Sequence, residues 1–418
     1  MAHSHSPAHA KNLSSGLTLL LGAAVGTIAA NLYYAQPLVA LIAKSLNLDP
    51  AMAGLVVTLT QIGYGLGVLF IVPLGDLVEN RKLILSMLGL GILAILSLGV
   101  ATQLIPYFAA AFAVGLGASS VQIIVPYAAH LAPEHARGRI VGNLMSGLML
   151  GIMLSRPIAS LLTDLLSWHA VFFLSAAFMT ALGVALYKFL PERHPNSGAQ
   201  SYSALIASMG HLLVRTPVLR RRAIYQACMF GAFCLFWTAT PLLLSGPEFH
   251  LSQTAIALFA LAGVSGAIAA PFAGRYADRG FSRSVTALAM IGGIVAFLLT
   301  RLFEPGSMTA LALLVIAAIL LDAGVTANLV LGQRAIFSLR AKYRSRMNGL
   351  YIATIFIGGA MGSYFGAWAF SRGGWPLTAF VGLLFPLSAL VYYGTEWVTG
   401  FQKTSAAVKA RRVSIPEA

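Results

Sequence analysis

The chain has 418 residues, of which 58% are hydrophobic and only 9% charged, with a formal net charge of +15. A water-facing domain carries about 25% charged residues, so this composition excludes a soluble enzyme, and its apolar content excludes a disordered chain. What remains is a protein whose bulk sits in lipid.

A transmembrane helix needs about 20 mostly apolar residues. The apolar runs here are long, continuous and aliphatic, as over 83–100, unlike the alternating segments of a membrane β-barrel. In chain order the pattern predicts spans over 16–42, 52–72, 83–102, 105–130, 140–166 and 169–190. After a polar connector it predicts spans over 223–244, 252–273, 284–302, 308–336, 347–370 and 375–395. The expected fold is an all-α polytopic membrane protein, with twelve transmembrane helices in two six-helix pseudo-symmetric bundles. Its parts are a tail (1–15), a bundle (16–190), a linker (191–222), a second bundle (223–398) and a second tail (399–418).

Lys and Arg favour cytoplasmic loops. With odd-numbered gaps outside, only Lys44, Arg301 and Arg372 lie outside and Arg156 lies within a span, leaving 23 of the 27 basic residues on the other side. Both termini are therefore expected in the cytoplasm, and the basic charge reads as a topology signal rather than a nucleic-acid patch. Cys228 and Cys234 share one apolar segment and read as small packing residues. The polar start precedes a span too long for a cleavable signal, and His3, His5 and His9 read as tail residues rather than metal ligands. No nucleotide-binding loop, HExxH or nucleophile elbow occurs. The chain is thus expected to be no enzyme and to use no cofactor, metal or nucleotide. His130 and His135 read as solvated residues at a helix end.

The halves repeat. Arg139 and Arg346, Trp168 and Trp375, Gly151 and Gly358, and Ser155 and Gly362 each keep an offset of 207, while Asp76 and Asp278 are offset by 202. Parallel six-helix repeats imply two bundles rocking about a midplane site.

The loop Pro73-Leu-Gly-Asp-Leu-Val-Glu-Asn-Arg-Lys82 and its counterpart Gly274-Arg-Tyr-Ala-Asp278-Arg279 resemble the loop motif of the major facilitator superfamily. Gly147-xxx-Gly151-xxx-Ser155-Arg-Pro157 is similar to the fifth-span motif of its twelve-span drug:proton antiporters. Asn31-Leu-Tyr-Tyr-Ala-Gln-Pro37 and Leu321-Asp-Ala-Gly-Val325 look like one bacterial branch of that group. Four positions depart from the pattern. Glu79 and Asn80 replace a glycine and a basic residue, Ala111 stands where these antiporters usually carry an arginine, and Arg156 intrudes into the fifth-span motif. The resemblance implies a secondary transporter of the bacterial inner membrane. It also implies that Asp76, Arg81, Lys82, Asp278 and Arg279 latch the cytoplasmic side of the outward-facing state.

Asp322 lies twelve residues before Arg334, about 18 Å along a helix and so near mid-membrane. A charge there is costly and marks a functional site or a paired carboxylate. Arg156 cannot shed its proton, so it reads as an anchor for an anionic group or a partner of Asp322, in a bridge that forms in one conformation and breaks in another. The competing reading is a fixed structural pair. Met145, Met149 and Met153 fall near the Arg156 face of a helical wheel, either as a pliable ligand wall or as core filling. Gly147, Gly151 and Ser155 form a small-residue face suited to close helix contact. Asn31, Tyr34, Gln36, Gln61, Tyr64, Gln122, Tyr127, Trp237, Thr326 and Gln333 supply uncharged polar groups in the spans. Such groups suit a cavity for a small amphipathic compound, and each alone also serves as glue between helices.

The expected function is alternating-access, proton-coupled efflux of a small amphipathic drug or metabolite by a monomer. Uptake of an organic anion or sugar is the rival within transport, and a non-transporting receptor or scaffold the rival outside it.

Overall fold

The computed structural model describes residues 14–195, 201–302, 304–339 and 343–413, the last stretch with side chains as far as 396. His3, His5 and His9 lie outside the described residues. Among the described residues every regular element is helical, and ten helices are long and apolar enough to cross a membrane.

The first compact unit comprises residues 1–211 together with 244–246 and 250–261. Its helices are α1 (Ser15–Ala30), α2 (Val39–Ser45), α3 (Leu55–Leu66), α4 (Asn80–Val100), α5 (Leu104–Ala118), α6 (Val121–Leu131), α7 (Arg137–Leu165) and α8 (Trp168–Phe189). A further helix, α9 (Tyr202–Arg215), begins in this unit and ends in the second. The second unit holds α10 (Pro217–Ser245) as far as Leu243. The short α11 (Gln253–Ala260) clusters with the first unit, and α12 (Ser265–Asp278), α13 (Ser282–Leu299), α14 (Met308–Phe337) and α15 (Arg344–Val413) with the second.

Local chemistry starts these helices where the apolar runs begin. The hydroxyls of Ser14, Ser167, Ser252 and Ser307 accept from backbone N–H groups of the first turns of α1, α8, α11 and α14. Each satisfies a donor that the helix itself cannot.

Each expected span has a helical counterpart, and the interruptions follow from the residues. The first span is not continuous. Its helix stops at Ala30 and resumes as a 3-10 turn at Gln36–Leu38, whose first turn holds Pro37, a residue with no N–H to give the helix. In the second span α3 passes into a π turn at Gly67–Ile71 and a 3-10 turn at Val72–Asp76, which contains Pro73. The connector expected over 191–222 contains α9, whose apolar Leu205 and Met209 are buried. The last long helix is interrupted at Gly373 (φ −150°) and Gly374 (φ 56°). Its apolar stretch of 53 residues is about 80 Å long at helical rise, far more than one crossing needs. The glycine pair thus separates the two spans expected there, and the positive φ of Gly374 is the conformation glycine takes most readily.

The offset of 207 is a packing rule. A Cβ placed on Gly151 would lie 2.7 Å from Cα of Gly26 and closer still to its carbonyl, so α1 and α7 touch backbone to backbone. At the position 207 residues later, a Cβ on Gly358 would lie 2.8 Å from Cα of Ala227, which sets α10 against the first stretch of α15 in the same way. Without a hydrophobic drive between helices in lipid, small residues that allow such approach hold membrane bundles together.

Candidate functional site

In the first unit, α7 carries Arg156 nineteen residues from its start, about 28 Å along the axis. The side chain is 2% exposed. Its Nε donates to Oε1 of Gln36 at 2.8 Å, and its guanidinium lies 5.2 Å from the centre of the Tyr33 ring. Pro157 follows inside the helix, so the carbonyl four residues earlier loses its helical donor. Tyr33 and Gln36, three residues apart in the interrupted stretch of the first span, both reach the arginine.

One turn before Tyr34, Asn31 is wholly engaged. It donates to the carbonyl of Thr27 at 2.8 Å and to Sδ of Met179 at 3.0 Å, and it accepts from Ser175 Oγ at 2.7 Å. It ties α1 to α8. Tyr34 lines a groove between α1, α7 and α8, as Ser175 also does. Gln122 donates to the Tyr64 hydroxyl at 3.0 Å, bringing α6 to α3, and Gln61 is fully buried on α3. Met145, Met149 and Met153 are each partly buried on α7, and none of them lines that groove.

In the second unit, Asp322 sits fourteen residues into α14, about 21 Å from its start and near its midpoint. It is 4% exposed and accepts from Trp237 Nε1 at 2.9 Å. Thr326 faces α12, since a Cβ on Gly266 would meet its hydroxyl at 2.7 Å. Gln333 is partly buried nearer the end of α14. A second polar pair between α10 and α14 was not singled out from the sequence. Asn328 Nδ2 donates to Gln226 Oε1 at 2.7 Å, and Gln226 Nε2 donates to the carbonyl of Val325 at 3.2 Å. Both side chains are buried. The signal was present in the sequence, because each is an amide within an apolar run.

The loop residues divide differently from the expectation. Asp76 is exposed and makes no hydrogen bond or ion pair with the described residues. The carboxylate that accepts from a helix start is Glu79, which takes the N–H groups of Arg81 at 2.7 Å and Lys82 at 2.8 Å. It also takes the N–H of Arg193 at 3.2 Å. Asn80 donates to the carbonyl of Gly75 at 2.6 Å and accepts from the Arg193 guanidinium at 2.5 Å. Burial works to raise the Glu79 carboxyl, and the three backbone donors outweigh it, so the group sits below its ordinary value. Tyr127, expected in the cavity, instead donates to the carbonyl of Pro191 at 2.5 Å. Arg81 donates to the carbonyl of Tyr187 at 2.6 Å and pairs with Glu192 at 3.4 Å. The two departures in the first loop motif, with Tyr127 and Arg81, therefore clip the start of the connector to the first unit. Lys82 contributes its backbone alone. In the second unit Asp278 pairs with Arg334 at 2.5 Å, half-exposed on both sides, and Arg279 lies 6.0 Å from the Tyr276 ring.

Among the described residues no three His, Cys, Asp or Glu side chains cluster as metal ligands, and Cys228 and Cys234 are free thiols. His130 Nδ1 lies 2.7 Å from the carbonyl oxygen of Pro126, to which it donates when protonated, and His135 is exposed.

The family model described as Major Facilitator Superfamily matches residues 19–331 and 227–407. The chain belongs to the Major Facilitator Superfamily. This facilitator is 36% identical over 395 residues to an "Uncharacterized transporter YgaY" of Escherichia coli O157:H7, covering 94% of this chain and 98% of the relative. It is 32% identical to a "Probable transporter" of Streptomyces coelicolor, over 85% of this chain and 82% of that one. A "Probable sugar efflux transporter" of Helicobacter pylori is 25% identical over 84% and 87% of the two chains. The crystal structure of a nucleoside transporter superposes with a TM-score of 0.74 at 13% identity, over 90% of this chain and 99% of that one, a likeness of fold. The facilitator is thus a multi-pass membrane transporter.

Proposed function

We propose that this transporter is a proton-coupled exporter of a small amphipathic compound, acting as a monomer in the bacterial inner membrane with both termini in the cytoplasm. The observation that carries the reading is the Asp322 carboxylate. It is buried near the middle of α14 and held by a neutral donor, Trp237. A carboxylate in that position can take up a proton without losing its partner, because Trp Nε1–H donates to the ionised carboxylate and, more weakly, to the carbonyl oxygen of the protonated carboxyl. A second buried polar group, Gln226 with Asn328, bridges α10 and α14, and Asn328 Oδ1 is left as an acceptor for a small polar group. Export is supported by the relatives named as sugar efflux transporters, and the orientation by the distribution of Lys and Arg. No cofactor enters this reading, and the proton gradient supplies the drive.

A second reading, uptake of an organic anion, draws on Arg156, whose permanent charge is held against Gln36 and Tyr33 in a buried setting. In either case Arg156 and Asp322 are proposed to pair in one conformation and separate in another. A charge-swap double variant that rescues neither single loss would count against that pairing.

The test compares cells expressing wild type or Asp322→Asn at matched levels, by mass spectrometry of medium and cell pools. Export predicts a compound enriched in the medium only with wild type. Depletion from the medium would overturn export in favour of uptake. Equal pools, with challenge by foreign amphipathic compounds equally tolerated, would refute a role for Asp322.

A further inference from the structure

The groove between α1, α7 and α8 lies wholly in the first unit and has a volume of about 1010 Å³. It exists because α1 and α7 meet through glycines, which leaves no side chains to fill their seam, while α8 stands as the other wall. Polar and apolar groups are sorted along it. At the end where α7 begins, the lining is His135, Arg139, Asn143 and Ser146. Beyond come Leu150, Leu154 and Ile158 of α7, facing Leu174 and Phe178 of α8. These last five are 41–54% exposed, so the apolar part of the groove is open along its length. The deeper hydroxyls make no demand on an occupant, because Ser155 bonds the carbonyl of Ile152 and Ser175 bonds Asn31.

The spacing matches one leaflet. From Arg139 to Leu154 is fifteen residues of α7, about 22 Å, which is half the full thickness of a bilayer with its headgroups. The polar part, Arg139 to Ser146, takes up about 10 Å of that. Arg139 is exposed and makes no hydrogen bond or ion pair with the described residues. No carboxylate stands among the lining residues. A basic, acid-free mouth over an apolar trough has the amphipathic profile of an anionic phospholipid, and basic pockets between helices are the setting in which such headgroups bind.

We propose that this groove is a binding site for an anionic phospholipid. Arg139 receives the phosphate, Asn143 and Ser146 face the glycerol region, and one acyl chain lies along Leu150, Leu154 and Ile158 between α7 and α8.

The test is native mass spectrometry of the full-length protein in detergent. Phosphatidylglycerol, phosphatidylcholine of the same chains, and glycerol 3-phosphate are added separately. Wild type is expected to retain phosphatidylglycerol over phosphatidylcholine, and Arg139→Gln to lower that preference about tenfold, the scale of one charge-assisted hydrogen bond. Arg139→Lys keeps the charge and is expected to keep the preference. Leu154→Trp fills the trough and is expected to reduce retention of both lipids. Equal retention of the two lipids by wild type, an unchanged preference in Arg139→Gln, or full retention in Leu154→Trp would each overturn the site. Competition by glycerol 3-phosphate at the same concentration would mean a soluble phosphate site instead of a lipid one. A greater displacement of the lipid by an amphipathic drug than by phosphatidylglycerol would make the groove a substrate entrance. If Arg139→Gln does not yield a monodisperse protein, the lysine and tryptophan variants decide the matter.

Discussion

Replacing Gly151 by alanine adds one methyl group where α1 and α7 touch. That methyl would stand 2.7 Å from Cα of Gly26 and 2.5 Å from its carbonyl carbon, whereas carbon atoms rest at about 3.5 Å or more. The helices must part by roughly 1 Å, and neither neighbour is a side chain that can turn aside. Overpacking of this kind costs about 1–3 kcal/mol, against a gain of up to about 1 kcal/mol from the better helix propensity of alanine. The control lies on the same helix. A Cβ on Gly142 meets nothing within 4 Å, so Gly142→Ala retains only the propensity gain. Thermal unfolding in detergent, followed by tryptophan fluorescence, should therefore place Gly151→Ala below wild type and Gly142→Ala at or above it. Gly362→Ala should fall with the former, because its Cβ would lie 2.8 Å from Cα of Gly231. If Gly151→Ala melts as high as Gly142→Ala, the backbone contact between α1 and α7 is not what holds the first unit together.

Three further outcomes are expected. The Glu79 carboxyl is held below its ordinary value by backbone donors that include Arg193, so its contribution is fully present above the ordinary carboxylate range and lost as pH falls through the lowered value. The protection factor of the Arg193 amide, which allows for the slower intrinsic exchange in acid, should then fall below the ordinary carboxylate range in wild type, and should already be low at neutral pH in Glu79→Gln. Gln226→Leu leaves the Asn328 amide without its 2.7 Å acceptor and should lower stability by about 1–2 kcal/mol, the upper range for hydrogen bonds between membrane helices, in denaturant titration. Asp278→Asn removes an ion pair whose side chains are 66% and 49% exposed. It should change stability by less than about 1 kcal/mol, so any large loss of transport by this variant at equal stability would locate its role in the conformational cycle.

The spans were legible because hydropathy in a membrane protein is nearly one-dimensional information: the run from Met308 to Phe337 must be a helix whatever surrounds it. The glycines at the offset of 207 were legible too, since a small-residue face has few uses besides close approach. Pairings across long stretches of chain were not. Nothing in the local sequence says that Tyr127 meets Pro191, 64 residues on, or that Glu79 and Asn80 rather than Asp76 grip the connector at Arg193. A carboxylate three residues nearer the helix start wins the N-terminal donors by reach alone, because those N–H groups point back along the axis. Gln226 and Asn328 escaped for a different reason. Asp322 drew attention by its charge, yet a buried amide pair meets the same rule that polar groups inside the bilayer need partners.

The joint at Gly373 and Gly374 has a mechanical consequence. A loop of several residues would let the two rods of α15 slip along one another; a two-residue joint takes up no axial slack, so the rods keep a common registration. The freedom left to them is to splay, like the arms of a pair of dividers. Their open ends lie near Met347 and Thr395, and there the second arm is fastened to α10, by Arg221 to Thr395 at 2.9 Å and by Tyr225 to Glu396 at 3.0 Å. Bending of this helix pair is thereby referred to α10, the helix that carries Trp237 to Asp322.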